Sequence, residues 1–226
     1  MKRLKSWSLS TYKSYKFCPR KVKFGKIDGI KEPGSEQMDR GSAIHKLAEN
    51  YLLDLVKVLP IELAVLKKEF AFIKKKGAVA EEEWAFNTAL DSCEWKHGWL
   101  RMKLDARYEK SKGTIVVIDF KTGHNGFTAQ RYMADNKKHM SLYALGTFLK
   151  FPEAQCVEVE LWYPDRTTEI VDKDSYNREE MPDLIEAWRN VSTPMMQDEI
   201  FPPRPGNHCA KCFYSKKKNG NCEFGG

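Results

Sequence analysis

The sequence has 226 residues, 42% hydrophobic and 12% aromatic, enough for one domain-sized core with modest additions. Its 38 Lys and Arg against 31 Asp and Glu give a net charge of +7 and a pI near 9.0, a balance that favours a polyanionic partner. No apolar run approaches the roughly 18 residues a membrane helix needs. The opening MKRLKSWSLS is basic without the apolar stretch of a secretory signal, so the expectation is a cytoplasmic chain with no membrane partner and six reduced cysteines.

In chain order, residues 8–28 begin with serine caps and carry helix-like apolar spacing, which Pro19 in FCPRK breaks. GIKEPGSEQ is a loop. From about Asp39 to about Val58, Ile44, Leu47, Ala48, Tyr51, Leu52 and Leu55 repeat at the 3–4 spacing of a buried helix face. KKEFAFIKKK, within the ambiguous stretch 61–75, reads as an edge strand flanked by lysines. Leu100, Met102, Leu104 and Ala106 alternate with Arg101, Lys103, Asp105 and Arg107, the period of a half-buried strand. EKSKG then turns the chain, and TIVVIDF returns as a central strand to complete a hairpin. A helix is expected near 137–149, a strand at CVEVELWYP and a helix over 178–191. The tail is proline-rich, basic and cysteine-rich. No internal repeat or flexible linker interrupts the chain.

Asp119 and Lys121 stand two apart at the end of the second hairpin strand and so share a face. Asp105 lies on the polar face of the first strand. Adjacent strands are about 4.8 Å apart, so the three side chains can converge. Two converging carboxylates repel unless a cation lies between them, and hard oxygen ligands favour Mg²⁺ or Mn²⁺. A neighbouring lysine can polarise a water or neutralise a phosphate. The bland alternative is a solvated Asp119–Lys121 pair, with Asp105 bound to Arg107 or Lys103. His45, early on the first long helix, reads alone as a core or cap residue. His139 and Tyr143, four apart on the later helix, read alone as ordinary packing.

Cys209 and Cys212 form C-x-x-C, Cys222 follows nine residues later, and Cys18 lies at the other end of the chain. Thiols in a segment without its own core suggest a metal staple, for which zinc and an iron–sulfur cluster are both suitable. His208 could complete a zinc site in place of Cys222. Cys93 and Cys156 read as small buried hydrophobes.

The ordered series YKFCPRKVKF, GSAIH, KLDARYE, VVIDFKTG, HMSLYA and CAKC resembles the RecB-like branch of the PD-(D/E)xK nuclease superfamily, and specifically its iron–sulfur-containing CRISPR-associated and AddB-type subset. The resemblance implies an α/β fold with a restriction-endonuclease-like core, a central mixed sheet flanked by helices. It implies a single nuclease domain: an N-terminal helical segment over 1–38, the core over 39–200 and a cysteine-rich clasp over 201–226. By the same resemblance His45, Asp105, Asp119 and the backbone carbonyl of Phe120 hold Mg²⁺ or Mn²⁺. Lys121 assists the attacking water, and Tyr143 braces the site. His139 stands where the family usually has glutamine, in a Q-x-x-x-Y pattern that contacts DNA. Cys18, Cys209, Cys212 and Cys222 match the one-plus-three pattern of a [4Fe–4S] cluster, with Zn²⁺ the alternative. Arg20 and Lys21 are expected to contact DNA.

Two functions follow. One is a metal-dependent deoxyribonuclease, an exonuclease acting on linear DNA with free ends in recombination, repair, or phage or CRISPR DNA processing. The other is a catalytically inactive nucleic-acid-binding module with a structural metal site. Retention of His45, Asp105, Asp119 and Lys121 favours the enzyme. The chain has no GxxxxGK[ST] motif, so unwinding would fall to a separate helicase; a recombinase or another DNA-processing protein is a further expected partner.

Overall fold

A computed structural model describes residues 2–122 and 129–224, the side chains of 129–133 excepted. Contacts divide the chain into two compact units, Ser35–Glu186 and the pair of terminal segments Met1–Gly34 and Ala187–Gly226.

In the terminal unit, α1 (Leu9–Phe17) starts at Ser8, whose Oγ accepts the Thr11 N–H, and stops at Cys18. Pro19 then opens α2 (Pro19–Val22) at the first helical position, where a missing N–H costs nothing. The expected break falls at this proline. Trp7 stacks on Trp188 at 5.8 Å, and Tyr12 meets the same indole edge-on at 5.5 Å. The tail has more anchorage than its sequence suggests. Phe201 is fully buried against Tyr15, while Tyr214 packs on Phe24 and donates to the Ile30 carbonyl at 2.8 Å.

In the unit Ser35–Glu186, α3 (Glu36–Leu52) begins at Ser35, whose Oγ caps the Met38 N–H. It ends at Leu52 rather than near Val58, because Asp54 turns into the left-handed region (φ 61°). Leu55 is consequently 67% exposed instead of lying on the buried face. KKEFAFIKKK is a helix, not an edge strand: α4 (Lys67–Lys75) buries Phe70 and Ile73, three residues apart, and leaves Phe72 outside. A helical pair at this spacing has the lysines on its solvent side, a pattern that strand alternation mimics over so short a run.

Five strands follow: β1 (Val79–Phe86), β2 (Leu100–Ser111), β3 (Thr114–Phe120), β4 (Cys156–Trp162) and β5 (Val171–Asn177), in spatial order 1-2-3-4-5. Only β3 and β4 are parallel. They are joined through α5 (Ala129–Lys150), a crossover of the kind parallel pairing requires. α6 (Met181–Gln197) follows β5. The expected hairpin, central strands and late helices are present, with α5 longer than anticipated; β1 and β5 were not anticipated. The mixed sheet with helices packed on it agrees with the expected α/β class.

The two faces of β3 do different work. Val116, Ile118 and Phe120 join Ile44, Ala48 and Leu52 of α3 and Phe70 and Ile73 of α4 in one buried cluster. Phe120 stacks on Phe70 (5.5 Å, 20°), and Trp162 meets Phe70 edge-on. Asp119 points the other way, toward α5. β2 changes face midway. Met102 fills the space beside Gly146 of α5, whereas Ala106 and Tyr108, of the same parity, belong to the α3–α4 cluster. Asp105 lies at that crossover, which is why it is 9% exposed and not on a polar face.

Candidate active site

The register places three carboxylates in one row. Ala106 pairs with Ile118, so Asp105 on β2 stands opposite Asp119 at the end of β3. On the other side Ala80 pairs with Ala106 and Glu82 with Leu104, so Glu81 on β1 stands opposite Asp105. Backbone pairing lapses at this row, and Glu81 adopts φ +54°, a conformation uncommon for a residue with a side chain. Like charges directly opposed across strands destabilise a sheet. The row must therefore be offset by other groups.

Those groups arrive from three directions. From α3, His45 Nδ1 lies 2.9 Å from Asp105 Oδ1. The other Asp105 oxygen accepts the Phe120 N–H at 2.7 Å. From the end of β3, Lys121 forms an ion pair with Asp119 Oδ2. From α5, the Tyr143 hydroxyl is 2.9 Å from both Asp119 Oδ1 and the Lys103 carbonyl. His139, one turn earlier, stacks on Tyr143 at 4.7 Å and brings Nε2 to 3.4 Å from Asp119 Oδ1. Gly41 lets α3 approach the site's rim, where a Cβ would sit 3.2 Å from Thr122 Oγ1.

This environment separates the two aspartates. Burial raises the Asp105 pKa and the Asp119 charge raises it further, with His45 and the Phe120 amide opposing. Burial also works against ionised Asp119, but the Lys121 ammonium and His139 outweigh it and hold that carboxyl below the usual range. Burial disfavours the His45 imidazolium, yet Asp105 and Asp119 leave its pKa raised. Burial, with Asp119 and Asp105 beside it, keeps Tyr143 a neutral phenol and hence a hydrogen-bond donor.

His45, Asp105, Asp119, Lys121, His139 and Tyr143 thus meet in one cluster, with the Phe120 peptide between Asp119 and Lys121. Neither His45 nor Asp105 is the ordinary residue it resembles in isolation. Sequence reasoning missed Glu81. Ligand atoms of His45, Glu81 and Asp105 lie within 4.8 Å of one another, a donor set of imidazole and two carboxylates suited to a divalent cation. The run AEEEWAF holds three consecutive glutamates, and without β1 and its register nothing distinguishes Glu81 from its neighbours. Glu82 pairs with Arg107 and Glu83 with Lys103.

Cys18, Cys209, Cys212 and Cys222 all line one cavity in the terminal unit, together with His208 and Ser215. Among the described residues the buried Nε2 of His208 and Oγ of Ser215 have no hydrogen-bond partner. No three of these thiols come within 4.8 Å of one another. Cys93 and Cys156 are half-exposed rather than buried. Arg20 donates to the Phe201 carbonyl and reaches Glu223 at 3.6 Å, and Lys21 pairs with Glu32. No helix among the described residues is long and apolar enough to cross a membrane.

A family model, the PD-(D/E)XK nuclease superfamily, matches residues 6–216. No curated protein matches the sequence. Among solved structures, one from Eubacterium rectale named "Putative exonuclease" superposes with a TM-score of 0.57 at 12% identity, covering 97% of this chain and 89% of that one. At that identity the likeness concerns the fold. The protein SSO0001 aligns over 95% of this chain and 86% of its own at 15% identity, with a TM-score of 0.40.

Proposed function

Because the chain belongs to the PD-(D/E)XK nuclease superfamily, we propose that it is a divalent-metal-dependent deoxyribonuclease, an exonuclease acting on linear DNA. The observation that carries the reading is the convergence of His45, Asp105, Asp119 and Lys121 on one row of the sheet. The donor set fits Mg²⁺ or Mn²⁺, held by His45, Asp105, Asp119 and the Phe120 carbonyl. A cation bound there supplies Lewis acidity and neutralises charge developing on a phosphate. Lys121, anchored by Asp119, orients a water for in-line attack and donates to a phosphate oxygen. Tyr143 and His139 brace the Asp119 carboxylate from α5, and their effect on DNA runs through that acid. Arg20 and Lys21 offer cations for which phosphates compete with Glu223 and Glu32.

The cysteine cavity supports a second metal centre. Zinc thiolates at about 2.3 Å would bring the sulfurs to roughly 3.8 Å apart in a tetrahedron. Four thiolates lining one cavity suit a [4Fe–4S] cluster, with Zn²⁺ the alternative. Anaerobically purified protein should be brown, with about four irons per chain; one zinc and no colour would reverse this assignment.

The test of function is degradation of end-labelled linear DNA and of a closed circle with Mg²⁺ or Mn²⁺. Loss of the linear substrate alone, prevented by EDTA and by Asp119→Asn, is the expected result. Equal rates on both substrates would make it an endonuclease, and turnover by Asp119→Asn would refute the site. A helicase or recombinase is the partner proposed for such an exonuclease, and stimulation of degradation by such an enzyme is its measure.

A further inference from the structure

We propose that Glu81 is a fourth side-chain ligand of the catalytic cation, so that the metal site spans three strands rather than two; this rests on the divalent-metal reading above. The row Glu81–Asp105–Asp119 crosses β1, β2 and β3 at a single register level. Asp119 has the Lys121 ammonium at one oxygen and the His139 imidazole and Tyr143 hydroxyl at the other. Among the described residues Glu81 has no ion-pair partner, although His45 and Lys103 lie near enough to offset part of its charge. Its strand neighbours Glu82 and Glu83 each pair with a basic residue of β2, and Glu49 of α3 is held by Lys46 at 2.6 Å. Glu81 instead faces Asp105 and His45, with ligand atoms of all three within 4.8 Å.

The backbone is consistent with that role. A glutamate at φ +54° holds a strained backbone conformation. It also sits opposite a buried carboxylate, an arrangement a sheet avoids. A cation coordinated between Glu81 and Asp105 replaces their repulsion with attraction. Glu81 is exposed whereas Asp105 is buried, so Glu81 stands on the side from which an ion arrives from solvent.

The test is Mn²⁺ binding without DNA, read from the EPR signal of the free aquo-ion, on wild type, Glu81→Gln, Asp105→Asn and, as a same-strand control, Glu83→Gln. Glu81→Gln should weaken Mn²⁺ binding at least ~10-fold. Asp105→Asn should abolish binding, and Glu83→Gln should match wild type. In EDTA, Glu81→Gln should melt no lower than wild type, since it removes a like-charge opposition. Wild-type Mn²⁺ affinity in Glu81→Gln, with binding lost in Asp105→Asn, would overturn the Glu81 assignment and leave the metal reading standing. Unchanged binding in both would overturn both. A lower melting temperature of Glu81→Gln in EDTA, alongside weaker binding, would mark Glu81 as a brace of the strand pair and overturn its assignment as a ligand.

Discussion

Replacing Lys121 with methionine separates the two tasks of that lysine. Its ammonium is the contacting counter-charge of Asp119, and the two side chains are 19% and 7% exposed. Removing one partner of a buried ion pair costs about 3–5 kcal/mol, because the remaining charge is left uncompensated. Tyr143 and His139 still face Asp119, and Lys121 is partly solvated, so the low end, about 3 kcal/mol, applies. For a unit the size of Ser35–Glu186 that is a fall of roughly 6–12 °C in melting temperature. The assay is thermal unfolding in EDTA and again in excess Mn²⁺. Without metal the variant should melt well below wild type. Mn²⁺ should then raise its melting temperature more than it raises wild type's, since lysine no longer competes for Asp119. DNA cleavage should fall by about 10²-fold or more even when stability is restored. Equal melting temperatures in EDTA, or a smaller Mn²⁺ shift in the variant, would refute the account of Lys121 as the counter-charge of Asp119.

Tyr143→Phe removes the hydroxyl shared by Asp119 and the Lys103 carbonyl and should cost about 1.5–3 kcal/mol by chemical denaturation, as loss of a hydrogen bond to a charged group. The His45 imidazole should titrate above the ordinary value of about 6.5 by NMR in metal-free protein. Its folded-state pKa is raised, so its contribution is fully present below about pH 6.5 and is lost as pH rises through the folded value; Asp105→Asn should lower that midpoint. Gly146→Ala drives a methyl group into the Met102 thioether and should destabilise by about 1–3 kcal/mol, with Met102→Ala in the same chain recovering part of it. Cys18→Ser should lower bound iron and the stability of the terminal unit while leaving Mn²⁺ binding unchanged, measured by metal analysis and EPR.

Local chemistry was legible where periodicity was long or punctuation strong. The β2–β3 hairpin has strict alternation and a turn, and Pro19 marks its own helix start. Asp119 and Lys121 share a face by alternation alone, and the structure puts them in contact. Elsewhere local pattern gave way to tertiary packing. KKEFAFIKKK alternates as a strand would, yet burial against Phe120 and Trp162 selects the helical spacing of Phe70 and Ile73. The face change of β2 at Asp105 has no local sign, since it depends on which helix covers each end. Glu81 needs two facts absent from its neighbourhood, that β1 exists and that its register brings residue 81 level with 105. His139 is 6% exposed and beside Asp119, a placement that fourfold helical spacing cannot distinguish from surface packing.

The division of labour along β3 also bears on how this chain can change length over evolution. Val116, Ile118 and Phe120 are apolar filling on one face, Asp119 on the other and Lys121 just past the strand are chemistry, and Phe120 gives its ring to one layer and its N–H to Asp105 in the other. Deleting a single residue between Thr114 and Phe120 would rotate both ionisable groups into the aromatic layer and expel Phe120 from it. Insertions and deletions in descendants should accordingly collect at the Lys112–Gly113 turn, where Gly113 already has φ +78°, and be purged from the seven residues that follow.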